Sequence, residues 1–341
     1  MRHLLLDLCA KNGTSGWEDE IRARIEEHLD TLGVEHHTDA LGNLFAFKKG
    51  RKPAPFKLAL MAHMDEVGLL VKSVTEDGFL KIVFSGIDPR VLPGQRMFVG
   101  LNKIPGVIGL KAVHQTTADE RTKAVDRDSL YIDIGAADKA EAEGLVSLAD
   151  PVHFDPEALD MGQAVRVKAL DDRVGCAVML KLLAGELAYD THFVFTAQEE
   201  SGMKGAKGAA YALAPDRVLI IEGTTAADRP DLPPQKQVCR MGGGVVIPFM
   251  DGGTMYDRGM FAHLRALCER KGIPWQTKEY ISGGTDAAAV QRSRAGVRVA
   301  GIAIPARHIH TPASMAAWSD VENLYALAQA FLDEPEGVQH P

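Results

Sequence analysis

The sequence of 341 residues lacks cysteine pairs, has few aromatic side chains and carries no excess of positive charge. Its four cysteines, Cys9, Cys176, Cys239 and Cys268, form no Cys-x-x-Cys pair, which excludes a disulfide framework and a thiolate zinc site and favours a reducing compartment. Acidic residues outnumber basic ones by 46 to 38, for a net charge of −8. A protein that binds nucleic acid or an anionic membrane would need a basic face, so neither kind of partner is expected.

Long hydrophobic runs are also absent. No apolar stretch approaches the roughly 20 residues that a membrane-spanning helix needs. The apolar run near the N-terminus is broken by Asp7 and is too short for the core of a secretory signal. With 46% hydrophobic and 25% charged residues, the chain has the composition of a folded globular protein with room for two domains. We therefore expect a cytoplasmic protein.

Two kinds of pattern divide the chain. In residues 1–66 and 165–341, apolar runs typical of strands alternate with segments of helical period, which predicts a mainly parallel sheet with helices on both faces. Between them, residues 67–164 contain short segments rich in Val, Ile, Leu and Phe, separated by turn signals such as Asp77-Gly78. The sequence therefore predicts one discontinuous α/β domain and an inserted all-β, barrel-like domain.

Local signals place individual elements within this scheme. Ser15 is predicted to cap a helix from Trp17 to about Leu32, and Gly33 is predicted to end it. The C-terminal segment 333–341 is predicted to be disordered. The predicted strands of the α/β domain that matter for function are the apolar runs at 56–62, 165–170, 192–198, 217–221 and 297–305.

Side chains that can bind metals follow each of these five strands. An open α/β sheet places its ligands beyond the carboxyl ends of its strands, so we expect these side chains to converge. Carboxylates and imidazoles without cysteine suit hard or borderline divalent cations. One such strand end alone is more often a solvated loop, so the metal interpretation depends on all five together. In chain order the residues are His63 and Asp65, Asp171 and Asp172, Glu199 and Glu200, Glu222, and His308 and His310.

The spacing within these groups fits a site with two ions. Side chains two apart in a strand face the same way, so Asp65 either accepts the second imidazole proton of His63 or forms a turn. In the pair that begins at Asp171, one carboxylate can bridge two ions, while its neighbour supports it or caps the next helix. The side chains of Glu199 and Glu200 diverge, so one can bind a metal while the other accepts a proton.

Six motifs follow one another along the chain: HMDEVG (63–68), KALDDRVG (168–175), QEESGMKGA (198–206), EGTTAADRP (222–230), GGTDAAAV (283–290) and ARHIHTP (306–312). In this order they closely resemble the tetrahedral-aminopeptidase and glutamyl-aminopeptidase family of dinuclear zinc metallopeptidases, some members of which are labelled endoglucanases. The resemblance covers nearly the whole chain. Single motifs are shared with related two-zinc exopeptidases, but the complete set is specific to this family.

The resemblance implies a metal-dependent aminopeptidase that removes N-terminal residues from peptides. His63, Asp171 and Glu222 would bind one divalent ion. Asp171, Glu200 and His310 would bind the other, so that Asp171 bridges the two. Zinc is the expected metal, and cobalt and manganese also suit a site of histidines and carboxylates.

The resemblance also implies roles for other residues. Glu199 would be the general base, which takes a proton from the attacking water and hands it to the leaving amine. Asp65 would be the partner that orients His63. The peptide bond between Asp171 and Asp172 would be cis. The insertion would be a dimerisation domain, and dimers could assemble further into a tetrahedral dodecamer with the active sites facing an inner cavity.

Several residues keep two interpretations. Glu222 stands where the family commonly has Asp, and its extra methylene group could change the binding mode or the metal preference. His308 would face the same way as His310 on an extended segment and is the alternative ligand, although substrate contact or packing is preferred. Asp286 either contacts the substrate's ammonium group or caps its helix. His114 either reaches a neighbouring subunit's site or has a structural role.

The leading prediction is therefore a two-metal aminopeptidase that acts on peptides. A related deacylase or carboxypeptidase could use the same ions, and assays with free-amine and N-acylated peptides would separate these activities. A metal-binding scaffold without catalysis would need a missing base or ligand, and only Glu222 is irregular. A glycosidase has paired carboxylates in its favour, but with 6% aromatic residues the chain offers few stacking platforms for sugars.

Overall fold

The computed structural model describes residues 1–335, and its largest feature is an eight-stranded mixed sheet. Residues 336–341, which belong to the segment predicted to be disordered, lie outside this described part. The sheet strands in chain order are β1 (Glu35–Thr38), β2 (Leu44–Lys48), β3 (Leu58–His63), β12 (Thr191–Thr196), β13 (Arg217–Thr225), β14 (Val245–Val246), β15 (Trp275–Gln276) and β16 (Arg298–Ala306). Their order in the sheet is β1-β2-β12-β3-β13-β16-β14-β15, and the four central strands are parallel.

The central strands are buried on both faces, as their unbroken apolar runs predict. In β3, Leu58, Leu60 and Ala62 pack into one core, whereas Ala59 and Met61 pack into another. Because successive side chains of a strand point to opposite faces, the two cores lie on the two sides of the sheet. The predicted α/β class with helices on both faces is confirmed.

Helices cover these two cores. Their bounds are α1 (Arg2–Cys9), α2 (Asp19–Leu32), α3 (Lys139–Leu145), α4 (Leu170–Leu183), α5 (Lys204–Leu213), α6 (Arg258–Lys271), α7 (Ala287–Gln291) and α8 (Trp318–Asp333). Helices α1, α2, α4, α6 and α8 pack on one face of the sheet, α5 and α7 pack on the other, and α3 belongs to the insertion and packs into its core. Within residues 1–335, no helix combines the length and the apolar character that crossing a membrane requires.

The insertion forms a closed six-stranded barrel around a separate apolar core, as predicted. Its strands are β4 (Leu69–Val74), β5 (Leu80–Phe84), β6 (Arg96–Val99), β7 (Ile104–Gly109), β8 (Tyr131–Asp133) and β9 (Pro151–Phe154). They pair in antiparallel fashion in the order β4-β5-β8-β7-β6-β9. These strands fall inside the predicted insertion, and the domain boundaries at 66/67 and 164/165 stay a prediction.

The prediction that residues 165–170 form a strand of the main sheet is wrong. A third, small sheet takes this segment: β11 (Ala164–Val167) lies between β10 (Leu159–Asp160) and β17 (Ser314–Ala317), with antiparallel pairing on both sides. The chain then turns at Ala169, which has a φ of +55°, and enters α4. A short apolar run predicts a strand but does not specify the sheet that it joins.

The prediction of Ser15 as a helix cap is also wrong. Helix α2 begins at Asp19 with Glu18 at the capping position, and the hydroxyl of Ser15 donates to Ser201 Oγ at 2.9 Å instead. This contact ties the N-terminal segment to the loop that follows β12. The predicted end of the helix is confirmed, since Gly33 adopts the left-handed conformation at a φ of +63°.

Candidate metal centre

The carboxyl ends of the parallel strands bring the predicted residues together at one edge of the sheet. His63 is the last residue of β3, and Glu199 and Glu200 follow β12. Glu222 lies within β13, and His310 follows β16. Asp171, which follows β11 of the small sheet rather than a strand of the main sheet, joins them from the start of α4.

The first group that could hold a metal ion consists of His63, Asp171 and Glu222. His63 Nε2 lies 3.5 Å from Asp171 Oδ1 and 3.5 Å from Glu222 Oε2. The imidazole is 1% exposed and the Glu222 side chain 7% exposed. The group is therefore almost closed to solvent and is built from two central strands and the start of a helix.

The second group consists of Asp171, Glu200 and His310. His310 Nε2 lies 3.2 Å from Asp171 Oδ2 and 3.3 Å from Glu200 Oε1. Asp171 thus turns one oxygen toward each histidine: Oδ1 faces His63 and Oδ2 faces His310. This is the arrangement that a carboxylate shared by two ions requires.

Glu199 belongs to neither of these two groups. It approaches His63 and Glu200 in a third possible grouping and lines the open cavity beside them. Among residues 1–335, its carboxylate has no hydrogen-bond partner, whereas the neighbouring Glu200 points toward His310. A carboxylate that faces the cavity and is not held by other groups is placed to exchange a proton with a molecule bound there.

Each histidine is held so that its Nε2 faces the cluster. Nδ1 of His63 lies 3.0 Å from the backbone oxygen of Asp65, and Nδ1 of His310 lies 2.8 Å from the backbone oxygen of Gly86. A carbonyl oxygen only accepts hydrogen bonds, so Nδ1 carries the proton in both rings and the lone pair is on Nε2. Both histidines therefore have the tautomer that a metal ligand needs.

Asp65 does more than orient His63. Its carboxylate lies 3.4 Å from His63 Nδ1, and it accepts backbone hydrogen bonds from Glu199 at 2.9 Å and Glu200 at 3.0 Å. Burial alone would raise the pKa of Asp65, but the hydrogen bonds from His63 and from these two amides lower it. The charged Asp65 thus fixes the loop that carries the candidate base and one candidate ligand.

Gly86 is a site residue that the sequence interpretation missed. It lies in the barrel domain after β5, and it has a φ of +73°, which favours glycine. A Cβ added there would lie 3.0 Å from Val67 Cγ1 and 3.3 Å from Glu200 Oε2. The barrel therefore contributes directly to the site. Because the contact to His310 uses a backbone carbonyl, only the glycine itself could have signalled it.

The buried carboxylates of the cluster repel one another, and a cation would stabilise them. Burial, together with neighbouring negative charges, raises the pKa of Glu199 to about 10, that of Glu222 to about 8 and that of Glu200 to about 7. Burial would also raise the pKa of Asp171, but hydrogen bonds with His310 and His63 lower it. Within the described residues, one buried oxygen of Glu200 and one of Glu222 have no hydrogen-bond partner. Divalent cations would satisfy these oxygens and offset the repulsion, so the residues fit metal ions.

A buried ion network lies directly behind the centre. Glu66 accepts hydrogen bonds from Lys168 Nζ at 2.6 and 2.8 Å and from Arg173 Nη2 at 3.3 Å. Arg173 Nε also donates to the backbone oxygen of Met64 at 2.8 Å, next to His63. The network joins the segment after β3 to the two ends of the Asp171 loop. Glu66, Lys168 and Arg173 all lie inside the motifs noted above, but the sequence did not show that they contact one another.

Other predicted residues lie outside the possible ligand groups of the described part of the chain. Asp172 Oδ1 accepts the backbone N–H of Gly175 at 2.9 Å, so it caps the helical part of α4, and its peptide bond to Asp171 is cis. Asp286 is buried, makes no capping hydrogen bond and does not line the cavity. His308 belongs to none of the possible ligand groups of the described residues.

Two further residues, one of them the His114 considered above, have no part in the ligand groups. His114 is exposed on a short turn of the barrel domain. Cys176 packs with its thiol toward the backbone oxygen of His63 at 3.2 Å, and burial raises its pKa well above the usual value. A buried thiol of this kind is inert as a nucleophile, so core packing explains Cys176.

The cavity beside the cluster has a volume of about 360 Å³. Besides the candidate ligands and Glu199, it is lined by Tyr256, Lys278 and Thr285. Lys278 is 5% exposed, and its ammonium group donates to the backbone oxygen of Ser282 at 3.0 Å. Among residues 1–335 it has no carboxylate within 4 Å. A buried cation therefore stands in the wall of the cavity next to the cluster.

Fold and site together are those of an exopeptidase, and comparison with known proteins gives the family. The M42 glutamyl aminopeptidase family matches residues 42–327, so the chain belongs to that family and is a peptidase of the aminopeptidase type. The family resemblance noted in the sequence is confirmed.

Individual relatives match over nearly their whole length. A lysyl aminopeptidase of Pyrococcus furiosus is 31% identical over 97% of this chain and 96% of its own. An aminopeptidase of the archaeon Desulfurococcus kamchatkensis is 34% identical, with a TM-score of 0.92 over 98% of this chain and 94% of that one. The TET1 peptidase of Pyrococcus horikoshii, described as able to assemble into a tetrahedron or a large octahedral shell, is 30% identical, with a TM-score of 0.86 over 98% and 99% of the two chains.

Proposed function

We propose that the protein is an aminopeptidase that uses two divalent metal ions to remove N-terminal residues from peptides. His63, Asp171 and Glu222 would hold one ion, and Asp171, Glu200 and His310 would hold the other. The observation that carries this proposal is the position of Asp171, whose two oxygens face two different histidines. Zinc is the proposed metal, with cobalt and manganese as alternatives for this donor set.

The chemistry divides between the ions and the chain. When bound, the ions would lower the pKa of water and stabilise negative charge on the substrate carbonyl oxygen. Glu199 takes the proton of the attacking water and delivers it to the leaving nitrogen. Asp65 holds the backbone of Glu199 and Glu200 in place for this transfer. Bound cations would also favour the ionised forms of these carboxylates, and their negative charge would favour the free ammonium group of a peptide's N-terminus.

Lys278 supports a preference for an acidic N-terminal residue. The names differ in the residue removed: the family is named for glutamyl residues and the Pyrococcus furiosus relative for lysyl residues. The preference of this chain therefore has to be inferred from the side chains that line its own cavity. The buried ammonium group of Lys278 uses one donor on Ser282 and has two others for a substrate carboxylate. Burial lowers the pKa of Lys278, and a bound carboxylate would favour the charged form.

Replacing Glu199 by Gln tests the proposal. The variant keeps all candidate ligands, so we expect it to bind two ions per subunit while turnover falls by about 10²–10⁴-fold, the usual contribution of a general base. Metal content is measured by mass spectrometry after chelation and metal add-back, and turnover with a panel of amino-acid anilides. Near-native turnover would show that Glu199 is not the base. Hydrolysis of N-acylated peptides in place of free amines would instead show the deacylase activity.

We also propose that the chain assembles through its barrel domain into dimers, and that these build a tetrahedral dodecamer. Large apolar side chains are exposed there: Leu101 is 76% exposed, Leu148 72% and Val113 70%. Apolar surface of this kind marks a contact region, and the TET1 relative forms a tetrahedron. Light scattering should give the mass of twelve chains; a monomer at micromolar concentration would contradict the proposal. A cytoplasmic location stays a prediction, supported by four buried cysteines without disulfides.

A further inference from the structure

A second cavity of about 710 Å³ opens beside helices α5 and α7. Four cationic side chains stand in its wall, and no carboxylate lines it. Lys204 and Lys207 come from α5, and Arg292 and Arg294 follow α7. In a protein with a net charge of −8, a wall with four positive and no negative side chains is a marked local inversion of charge. We call this cavity the basic groove.

The cations of the basic groove are not neutralised by the protein. Among residues 1–335, no carboxylate lies within 4 Å of any of the four. Their hydrogen bonds go to neutral groups: Lys204 donates to Ser201 Oγ at 3.0 Å, and Arg292 donates to the backbone oxygen of Gly253 at 3.0 Å. These contacts hold the side chains in place and leave their charge available to an anionic ligand.

An aromatic ring, that of Tyr211, holds one of the four cations of the groove in place. Arg294 donates to the backbone oxygen of Tyr211 at 2.7 Å, and its guanidinium group lies 4.4 Å from the centre of the Tyr211 ring. Tyr211 is 63% exposed and lines the groove. A guanidinium group that is fixed against a ring loses little freedom when it binds a carboxylate, so Arg294 is preorganised for such a ligand.

The basic groove borders the candidate active site. Gly202 and Met203 line both the groove and the cavity that contains the metal cluster. They follow Glu199 and Glu200 after Ser201, and Lys204 comes next at the start of α5. The part of a peptide beyond the scissile bond would pass Gly202 and Met203 to enter the groove.

We propose that the basic groove binds the leaving portion of the peptide substrate through its C-terminal carboxylate and any acidic side chains. This inference rests on the proposed aminopeptidase function. Every peptide substrate carries a C-terminal carboxylate, which is ionised at neutral pH. An extended chain advances at most about 3.3–3.6 Å per residue, so the length of the peptide decides whether its carboxylate reaches the groove. Arginine and lysine are the natural partners of that group.

The test compares substrates that differ only in the terminal charge. Glu-Ala-Ala-Ala is offered as the free acid and as the C-terminal amide, and a glutamyl anilide serves as the reference substrate without a leaving peptide. The double variant Lys204→Gln/Lys207→Gln should raise the KM for the acid about three- to tenfold relative to the amide, because exposed ion pairs contribute modestly. The preference of the native enzyme for the acid should fade at high salt.

A control variant, Lys49→Gln/Lys72→Gln, removes the same net charge from exposed lysines that line neither the groove nor the active-site cavity. It should leave the KM ratio of acid to amide unchanged. Equal KM values for acid and amide in the native enzyme would overturn the proposal. So would a loss of assembly mass in the groove variant, which would make the groove a subunit interface.

Calorimetry keeps this test separate from the proposed function. Binding of Ala-Ala-Ala as acid and as amide is measured on the Glu199→Gln variant, which should bind peptides with little turnover. Tighter binding of the acid, lost in the groove variant, supports the groove even if the anilide is not hydrolysed, and in that case only the aminopeptidase proposal fails. Equal binding of both forms overturns the groove while anilide turnover leaves the enzyme assignment intact.

Discussion

The two halves of the candidate metal centre share Asp171 but are held by different parts of the molecule. The buried half takes His63 and Glu222 from the central strands β3 and β13, where both side chains are almost inaccessible to solvent. The open half takes Glu200 and His310 from loops, and the His310 side chain is 32% exposed. The carbonyl that holds the His310 ring comes from the barrel domain.

This difference predicts unequal ions. Ligands on packed strands are preorganised more firmly than ligands on loops. We therefore expect the buried half to bind its ion tightly and the open half to bind an ion that exchanges more easily. The open half also depends on the contact between the two domains, so the barrel influences the metal centre as well as contributing to the proposed assembly.

The largest effect is expected from Asp171→Ala, which removes the carboxylate shared by both halves. Both ions should be lost, and turnover should fall by more than about 10³-fold, because metal ions contribute several kcal/mol to transition-state stabilisation. Glu222→Gln and Glu200→Gln, which each alter one half, should lower the affinity of one ion only. Metal titration measured by calorimetry distinguishes these outcomes. If Asp171→Ala still bound two ions tightly, Asp171 would not be the carboxylate that both halves share.

The buried half should also depend on the ion network behind it. Glu66→Gln leaves two buried cations, Lys168 and Arg173, without their carboxylate, and we expect a loss of about 3–5 kcal/mol in the free energy of unfolding. Lys168→Met should lower the free energy of unfolding by a smaller amount, because Glu66 remains paired with Arg173. The measurement is urea unfolding of the metal-free protein.

The matched control for this network is a surface pair. Glu20 pairs with Lys103 at 3.0 Å, and both side chains are more than a third exposed. Glu20→Gln should change the free energy of unfolding by less than about 1 kcal/mol. A similarly small effect for Glu66→Gln would mean that the buried network does not support the fold.

The open half is probed by Gly86→Ala. The added Cβ must move Val67 or Glu200, and alanine disfavours the left-handed backbone, so the carbonyl that holds His310 should shift. We expect the affinity of one ion to fall by about 10–100-fold, as for other losses of a group that orients a ligand. Gly94→Ala is the control, since Gly94 has a φ of +78° in the barrel but nothing within 4 Å of its Cβ. If both variants lowered the affinity of the ion equally, backbone strain alone would explain the effect and Gly86 would have no specific role in holding His310.

The smallest effect concerns the junction between the domains. His153 of β9 contacts Thr14 Oγ1 through Nδ1 at 3.0 Å, and burial lowers the pKa of His153 to about 4. The charged groups that act on it are Glu66, Lys168, Glu20 and Lys103.

The unfolded chain binds the His153 proton near pH 6.5, above the pKa in the folded state. Between these two values the unfolded state holds more protons, so the free energy of unfolding falls as the pH falls through this window. We expect His153 to remove about 2 kcal/mol between pH 7 and pH 5. Urea unfolding of His153→Gln should show a correspondingly weaker dependence on pH. An unchanged slope would exclude His153 as the source.

The sequence predicted those features that leave a local pattern. The strands β3, β12, β13 and β16 are apolar runs followed by or containing polar ligands, so both the fold class and the candidate ligands could be inferred from them. The hydrogen bond between His310 and the barrel could not be inferred, because it uses a backbone carbonyl, and the only sequence signal for that group is a glycine in a turn. Glu66 is 102 residues from Lys168 and 107 from Arg173, and only the fold shows that the three are buried together.

Two errors have similar physical reasons. Ser15 has the right residue type and position for a helix cap, but its hydroxyl is used in a tertiary contact with Ser201. The segment 165–170 contains a short strand, but pairing with β10 and β17 places it in another sheet. Asp171 still reaches the cluster, because the turn into α4 redirects the chain. In both cases a local preference was overruled by contacts between residues that are distant in the sequence.

The most direct test of the central claim is anomalous X-ray scattering from crystals of the zinc-loaded protein, measured on both sides of the zinc absorption edge. We expect two peaks per subunit. One should contact His63, Asp171 and Glu222, and the other should contact Asp171, Glu200 and His310. A single peak, or two peaks that do not share Asp171, would contradict the central claim.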